Sequence, residues 1–311
     1  MVKIKLKGRK TKRGRKVRKK GHRTFRKEHC SLKNCDRNDS CLDNSLLLKV
    51  GNILNEYHKA DIDTNNSRKM LHKQISDKIS QISDCDSEKC WLTVQEIIRH
   101  LSPEELSLFK KSFKPQMPAS WKKDPDEWLS TDHLKKVMDQ LVDKYDNFHS
   151  YGALPMDFEE KGKDEHSCIS GDLCNIDLRQ HFRNKKHNIG IVFNLDDHDE
   201  PGSHWTAMYV ELEPCCRKKP SAYYFDSVGS KPTKEVHKLV AKLKEQYKSI
   251  KGTELEFLYN DIQHQKKDTE CGIYCLHFLE TMLKGNDFDD YIQNERGDEY
   301  MQKFRSYFFA K

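Results

Sequence analysis

Apolar residues recur at helical spacing between residues 46 and 113. Side chains three or four positions apart share one face of a helix, and this spacing holds over 46–57, 71–82, 94–101 and 106–113. Just before the last stretch, Ser102 can cap a helix in which Pro103 is the first residue and Glu105 the third. The pattern predicts a helical domain over residues 30–118, and the two prolines within 114–118 predict where it ends.

The chain from residue 119 to residue 311 mixes two periodicities. Helical spacing predicts three helices, over 134–145, 236–250 and 271–285. Short runs of β-branched and aromatic residues, bounded by Gly, Pro, Asp or Asn, predict four strands, at 188–195, 205–212, 222–225 and 255–259. Strands in the middle with helices at the flanks predict an α+β domain.

Charge separates a third segment. The net charge of +7 combines 15 Lys and Arg without any acid in residues 1–27 with 41 basic and 49 acidic residues in 28–311. A segment so rich in cations cannot bury enough apolar area to offset chain entropy, so residues 1–29 are predicted to form a disordered basic arm. Because dense positive charge attracts polyanions, we expect residues 1–27 to bind nucleic acid non-specifically or to bind an acidic core protein. A solubilising or address-carrying tail is the alternative.

The chain holds eleven cysteines at irregular spacings. A secreted disulfide framework does not suit a chain of this length without an apolar signal segment, so reduced thiols are expected. Only Cys30 with Cys35 and Cys85 with Cys90 approach the spacing of zinc ligands, and we expect neither a metal nor a cofactor. The longest apolar stretches fall far short of the roughly 18 residues that a membrane span needs, so no membrane association is expected.

One cysteine is placed to react. Cys271 opens the predicted helix 271–285, where free backbone N–H groups and the helix dipole lower the pKa of a thiol. Gly272 is expected to leave room for a substrate backbone to pass close to the sulfur. Cys275, one turn further on, is interpreted as a core residue.

A nucleophilic thiol needs a base, a group that orients the base, and a donor for the oxyanion. His204 stands at the head of a predicted strand, Asp226 ends the next strand, and Gln265 precedes the thiol by six residues. A histidine–tryptophan pair or a strand-end aspartate is more often structural than catalytic. The order His, Asp, Gln, Cys on strand, strand, loop and helix nevertheless indicates a catalytic set.

These residues and their neighbours resemble a clan of cysteine proteases that includes the SUMO-specific proteases and the adenovirus protease. Within that clan, the chain is particularly similar to the virion cysteine proteases of nucleocytoplasmic large DNA viruses, the African swine fever type. The similarity extends over roughly residues 40–311. It is carried by these motifs: Trp128-Leu129, Met156-Asp157-Phe158, His204-Trp205, Phe225-Asp226-Ser227 and Gln265-x5-Cys271-Gly272.

The resemblance implies a mixed central sheet flanked by helices, and it gives roles to the matching residues. Cys271 would be the nucleophile, and His204 would be the general base and then the general acid. Asp226, where the swine fever type can carry Asn, would orient the imidazole. Gln265 would donate a hydrogen bond to the oxyanion together with the backbone N–H of Cys271.

The resemblance also implies a substrate and a setting. Trp205 and Asn194 would line the substrate groove, although strand packing and turn capping explain these two residues equally well. The implied enzyme is an endopeptidase that cleaves viral structural polyproteins after Gly-Gly-type sites, in the virion core and at assembly sites in the host cytoplasm. Two alternatives stay open: a protease that removes SUMO or another ubiquitin-like modifier, and a non-enzymatic virion protein that binds nucleic acid through its basic arm.

Overall fold

The three-dimensional structure, a computed structural model, describes residues 27–162, 167–215 and 218–311. The predicted basic arm up to residue 26 lies outside these ranges. Its last three residues, Lys27–His29, form a short 3-10 helix, and the following Cys30 pairs with Phe113 in an isolated β-bridge. Within the described ranges, no helix combines the length and the apolar character that crossing a bilayer requires.

The helical domain contains the four helices predicted from the spacing. They are α1 Asn44–His58, α2 Arg68–Ile82, α3 Gln95–His100 and α4 Pro103–Lys111, with a 3-10 helix Glu88–Thr93 before α3. Asp43 caps α1 by accepting a hydrogen bond from Leu46 N at 2.9 Å, and Ser102 and Glu105 form the predicted capping box of α4. The apolar faces meet around the buried Trp91 and form a core of their own.

Disulfides correct the expectation of reduced thiols. Six cysteines are paired, as Cys30–Cys41, Cys85–Cys90 and Cys168–Cys174. Cys30 is bonded to Cys41, whose Cα atom is 4.9 Å away, and not to Cys35, which is nearer in the sequence. The expectation was wrong because it rested on the cellular compartment, whereas pairing depends on which cysteines the fold brings within reach.

The second domain is built on one five-stranded sheet. The strands are β1 Phe148–Pro155, β2 Asn188–Asn194, β3 Trp205–Glu211, β4 Ser221–Phe225 and β5 Glu256–Tyr259. They lie in sequence order across the sheet, with the two outer pairs parallel and the two inner pairs antiparallel. The four predicted strands and the mixed sheet are therefore confirmed.

Helices surround this sheet, as the α+β class requires. The long ones are α5 Thr131–Lys144, α8 Lys234–Lys251, α9 Cys271–Leu283 and α11 Asp298–Phe308. The short ones are α6 Gly171–Cys174, α7 Leu178–Arg183 and α10 Phe288–Gln293, with a 3-10 helix Ala119–Lys122 before α5.

The two faces of the sheet pack on different helices. Side chains alternate along a strand, so Tyr209 of β3 lies in one core and Met208 in the other. Tyr209 shares its core with α5, α9 and α11, whereas Met208 shares its core with Leu239 of α8. All residues of α9 from Cys271 to Glu280 are buried. The helix that begins at the predicted nucleophile is therefore the central helix of the domain.

The sequence pattern does not predict β1 or four of the helices. β1 shifts register between Ser150 and Gly152, where φ is 83°, and this interrupts the alternation that identifies a strand. Helices α6, α7 and α10 span four to six residues, too few for a helical period to emerge unless, as around α3, the apolar spacing continues beyond both ends of the helix. The buried face of α11 carries Arg305 between apolar residues, which obscures its pattern.

The two domains are joined by hydrogen bonds near residues 113–117. Gln140 on α5 donates to the carbonyl oxygen of Phe113 at 2.6 Å. Ala310 donates its backbone N–H to Pro115 O at 2.9 Å and accepts a hydrogen bond from Met117 N at 2.8 Å. The segment predicted to separate the domains is therefore held against the end of α11.

Candidate active site

Cys271 is the first residue of α9 and is buried, with 2% of its surface exposed. At the start of a helix, unpaired backbone N–H groups create a partial positive charge that stabilises a thiolate. Glu270, the N-cap residue, makes no side-chain hydrogen bond to these groups. No capping side chain therefore competes with the Cys271 sulfur for the positive end of α9.

His204 and Asp226 lie together at one end of the sheet. β3 and β4 are antiparallel with Ala207 opposite Phe225, so the residue before β3 and the residue after β4 leave the sheet side by side. His204 Nε2 and Asp226 Oδ1 are 2.7 Å apart. Asp226 is fully buried, and its Oδ1 also accepts a hydrogen bond from Val228 N at 2.9 Å.

Asn260 holds the backbone of Asp226, a role that the sequence analysis missed. Its Oδ1 accepts from Asp226 N at 2.8 Å, and its Nδ2 donates to Asp226 O at 2.8 Å and to Ile262 O at 2.9 Å. β4 and β5 are parallel with Tyr224 opposite Tyr259, so the residues that follow them meet at the same end of the sheet. The position of Asn260 directly after a predicted strand was the available signal.

The surroundings of His204 favour its charged form. Burial lowers the pKa of the imidazole, but hydrogen bonds to Asp226 and to the Cys271 thiol, and the negative charges of both groups, raise it to about 9. Because Nε2 is bound to Asp226, Nδ1 is the nitrogen that is available to the thiol. His204 is therefore held protonated beside the Cys271 thiol at neutral pH.

Gln265 lies in the loop before α9 with its side chain fixed by Ser227. The Ser227 hydroxyl donates to Gln265 Oε1 at 2.7 Å, and the Ser227 carbonyl oxygen accepts from Gln265 N at 2.7 Å. Among the described residues, no acceptor binds the Gln265 NH2 group. Gln265 lines a cleft of about 540 Å³ with Val228 and residues 266–269. The NH2 group of Gln265 is therefore left without an acceptor in the described part of the chain and can act as a hydrogen-bond donor.

Two viral proteases are similar in sequence to this chain. A thiol protease of Acanthamoeba polyphaga mimivirus is 30% identical to this chain over 260 residues, which cover 81% of the chain and 79% of the relative. A cysteine protease of African swine fever virus is 26% identical over 230 residues, which cover 72% and 83% of the two proteins. The chain belongs to this family of viral cysteine proteases.

Two further comparisons concern the fold and the domain content of the protease. The crystal structure of the African swine fever virus protease superimposes with a TM-score of 0.60 and 21% identity, covering 92% of this chain and 96% of that one. The two proteins share a fold that includes the helical domain. The family described as YopJ Serine/Threonine acetyltransferase matches residues 95–307, so the protease is also a member of that family.

Trp205 and Asn194 of the protease make the packing contacts that were the alternative explanation for them. Trp205 is buried, and its Nε1 donates to the carbonyl oxygen of Leu129 at 2.9 Å. Asn194 Oδ1 accepts a hydrogen bond from Ser203 N at 3.3 Å in the loop before β3. Gly202 has φ of 90° and would place a Cβ atom 2.3 Å from Asn194 Nδ2. Contact of either residue with substrate stays a prediction.

Gly272 does not leave an open path beside the sulfur. A Cβ atom at this position would lie 2.9 Å from Cβ and Cδ1 of Leu129. The missing side chain therefore makes room for Leu129, and the expectation of space for a substrate backbone was wrong. Leu129 is buried against the start of α9, while the preceding Trp128 is 42% exposed.

A buried ion pair holds the start of α9, and sequence reasoning did not find it. Arg305 of α11 donates from Nη2 to Glu270 Oε1 and from Nε to Glu270 Oε2, both at 2.9 Å. Arg305 also donates to Glu127 O at 2.7 Å and lies 4.6 Å from the ring centroid of Trp121. Burial raises the pKa of Glu270, and the Arg305 charge opposes this rise. The residue before Cys271 is thereby fixed to α11.

Proposed function

We propose that the protease is an endopeptidase in which Cys271 is the nucleophile and His204 is the general base and acid. Asp226 orients His204, and Gln265 with the Cys271 backbone N–H binds the oxyanion. The observation that carries the proposal is the imidazole of His204, bound at 2.7 Å by the buried carboxylate of Asp226, with the Cys271 thiol close enough to raise the imidazole pKa. The roles require no cofactor.

The reaction follows from these positions. The Cys271 thiolate attacks the carbonyl carbon of the scissile bond, and the negative oxygen that forms is bound by the two N–H donors. His204 then gives its proton to the departing amine, which leaves an acyl-thioester on Cys271. Water, deprotonated by His204, attacks the thioester and releases the carboxylic acid. Asp226 holds the imidazole in position throughout.

For the substrate, we propose viral structural polyproteins cleaved after Gly-Gly-type sites. The membership of a family of viral proteases supports the polyprotein. The packing at the start of α9 supports the small residues: Leu129 fills the space beside Gly272, and Trp205 donates a hydrogen bond to the carbonyl oxygen of Leu129. Such a site discriminates by excluding side chains near the scissile bond. The setting proposed is the virion core and viral assembly sites in the host cytoplasm.

The test compares the wild type with Cys271→Ala. Both are incubated with matched Gly-Gly-X and Leu-Leu-X peptides and with virion proteins, and new N-termini are identified by mass spectrometry. Wild type alone should cut, and only after Gly-Gly. Equal cleavage of both peptides would contradict the specificity. Rapid labelling of Cys271 by a vinyl sulfone of a ubiquitin-like modifier, without polyprotein cleavage, would favour the modifier protease.

A second candidate activity, acetyl transfer, is favoured by one observation, the match of residues 95–307 to an acetyltransferase family. The same thiolate would take the acetyl group of acetyl-CoA as a thioester, releasing CoA, and would pass it to a hydroxyl group. Acetylation of Cys271 by acetyl-CoA, followed by transfer to a protein serine or threonine, would support this activity. Hydrolysis of peptides without any transfer would exclude it.

A further inference from the structure

Ser227 occupies a position between the two halves of the candidate site. It follows Asp226, which binds His204, and its hydroxyl contacts Gln265, which precedes α9. Ser227 is buried, with 1% of its surface exposed, and its carbonyl oxygen accepts from His264 N at 2.8 Å and from Gln265 N at 2.7 Å. The turn after β4 therefore holds the loop before α9 through main-chain hydrogen bonds.

Main-chain hydrogen bonds do not fix the end of a glutamine side chain. Gln265 has three side-chain torsions, and its amide can rotate to exchange oxygen and nitrogen. The Ser227 hydroxyl donates to Oε1 at 2.7 Å, which directs the NH2 group away from Ser227. The reverse orientation would direct a carbonyl oxygen toward the developing oxyanion and repel it.

We propose that Ser227 is a positioning residue for the oxyanion donor, which sets the orientation of the Gln265 amide through its hydroxyl. This inference rests on the proposed role of Gln265. The hydroxyl of Ser227 contacts Gln265, so the effect of that hydroxyl on catalysis passes through Gln265. The same turn thus serves both the base, through Asp226, and the oxyanion site, through Ser227.

The experiment measures peptide hydrolysis and thiol alkylation in the full-length protease carrying Ser227→Ala. Hydrolysis passes through an oxyanion, whereas alkylation by iodoacetamide is a displacement at saturated carbon and does not. We expect kcat to fall about tenfold to a hundredfold, because a small misplacement of a catalytic group has this effect. KM and the alkylation rate of Cys271 should change by less than about twofold. A peptide aldehyde forms an adduct with the thiol whose oxygen occupies the oxyanion position. Its inhibition of the protease should therefore weaken in parallel with kcat.

Two comparisons make the result specific. Gln265→Ala should lower kcat about 100- to 1,000-fold, and Ser227→Ala should add nothing in that background. Ser221→Ala is the matched control, because Ser221 is a buried serine at the other end of β4 that donates to Lys219 O, and it should leave kcat unchanged.

Several results would overturn the inference: an unchanged kcat in Ser227→Ala, an equal loss of alkylation and hydrolysis, or effects that multiply in the double variant. If Gln265→Ala itself keeps full kcat, the proposed role of Gln265 fails first. Where Ser227→Ala does not fold, Ser227→Thr and Ser227→Val replace it. Threonine and valine have the same shape as each other, and only threonine keeps the hydroxyl. Higher kcat in the threonine variant supports the inference, and equal kcat in the two contradicts it.

Discussion

The imidazole of His204 is charged over a defined pH range. Its pKa is 6.5 in the free side chain and about 9 in the folded protease, where burial is outweighed by Asp226 and Cys271. Because the folded value is the higher one, the charge pair contributes stability that is complete below pH about 6.5 and is lost as the pH rises through about 9. The same proton is required by the departing amine.

Peptide hydrolysis should therefore decline through an alkaline limb near pH 9. Asp226→Asn keeps the hydrogen bond to His204 but removes the negative charge. We expect this variant to move the alkaline limb to lower pH by about one to three units. The pH dependence of kcat/KM for both proteins is the measurement, with Asp197→Asn as an exposed control. An alkaline limb that stays in place would contradict the assigned pairing.

Alkylation of Cys271 should stay fast at pH 6. An ordinary thiol with a pKa of about 8.5 is almost fully protonated there and reacts slowly. Site-resolved mass spectrometry after iodoacetamide treatment compares Cys271 with Cys35. His204→Gln should remove the advantage of Cys271 at pH 6 while leaving Cys35 unchanged. Equal rates of the two cysteines in wild type would argue against an activated pair.

Chemistry made part of the site predictable at this scale. Few residue types can serve as nucleophile, base and oxyanion donor, and the resemblance to the protease clan assigns these roles to Cys271, His204 and Gln265. Ser227 and Asn260 were not found, because serine and asparagine are common in turns and their partners are distant in sequence. Gly272 was misinterpreted because the sequence does not reveal that Leu129 packs against it.

Among the elements, α9 and α11 depend on each other through Glu270 and Arg305. Arg305→Met leaves a buried carboxylate without its partner, and such a loss is expected to cost about 3–5 kcal/mol of unfolding free energy. Urea unfolding measures it. Because the unpaired Glu270 takes up a proton more readily, the loss should be smaller at pH 5 than at pH 7.5. Adding Glu270→Gln to Arg305→Met should recover part of the unfolding free energy. If the loss in the double variant equals the sum of the losses in the two single variants, the pairing is contradicted.

The disulfide Cys30–Cys41 closes a loop ahead of α1 and should stabilise the helical domain. Replacing both cysteines with serine is expected to lower the unfolding free energy by about 2–3 kcal/mol, because the unfolded chain gains freedom. Urea unfolding of this variant with and without reductant checks the value, since reductant should affect wild type more. Mass spectrometry that finds both thiols unpaired in wild type would contradict the disulfide.

Elements were predictable where one periodicity extends over enough residues. The faces of α1, α5 and α8 and the runs that form β2 to β5 meet this condition. β1 does not, because Gly152 shifts its register, and α11 does not, because Arg305 replaces an apolar residue on its buried face. Both exceptions arise from tertiary contacts, which lie beyond local sequence.

At the scale of the whole molecule, the dense positive charge and the candidate catalytic residues belong to different segments of the chain. Residues 1–26 hold 14 Lys and Arg, whereas the candidate site lies wholly in the second domain. We propose that this basic segment binds nucleic acid or an acidic core protein by counterion release and takes no part in catalysis. Association with packaged genome would place the protease close to the polyproteins proposed as its substrate.

Deleting residues 1–26 should abolish retention on DNA and leave cleavage of short peptides unchanged, whereas Cys271→Ala should do the reverse. Retention of wild type should weaken steeply as salt rises, because each released counterion adds to the salt dependence. Fluorescence anisotropy with labelled duplex DNA measures binding, and a fluorogenic peptide measures activity. Loss of peptide cleavage on truncation would show a catalytic or folding role of the segment.

The unbroken burial of α9 from Cys271 to Glu280 has a consequence for the timescale on which the catalytic centre can come apart. Amide hydrogens in such a helix exchange with solvent only when the whole domain opens, whereas frayed or exposed segments exchange by small local openings. Residues of α9 beyond its first turn should therefore belong to the most slowly exchanging unit of the protein, and the nucleophile is anchored directly to that unit. Enzymatic activity should accordingly vanish in a single step with global unfolding, without a partly active intermediate.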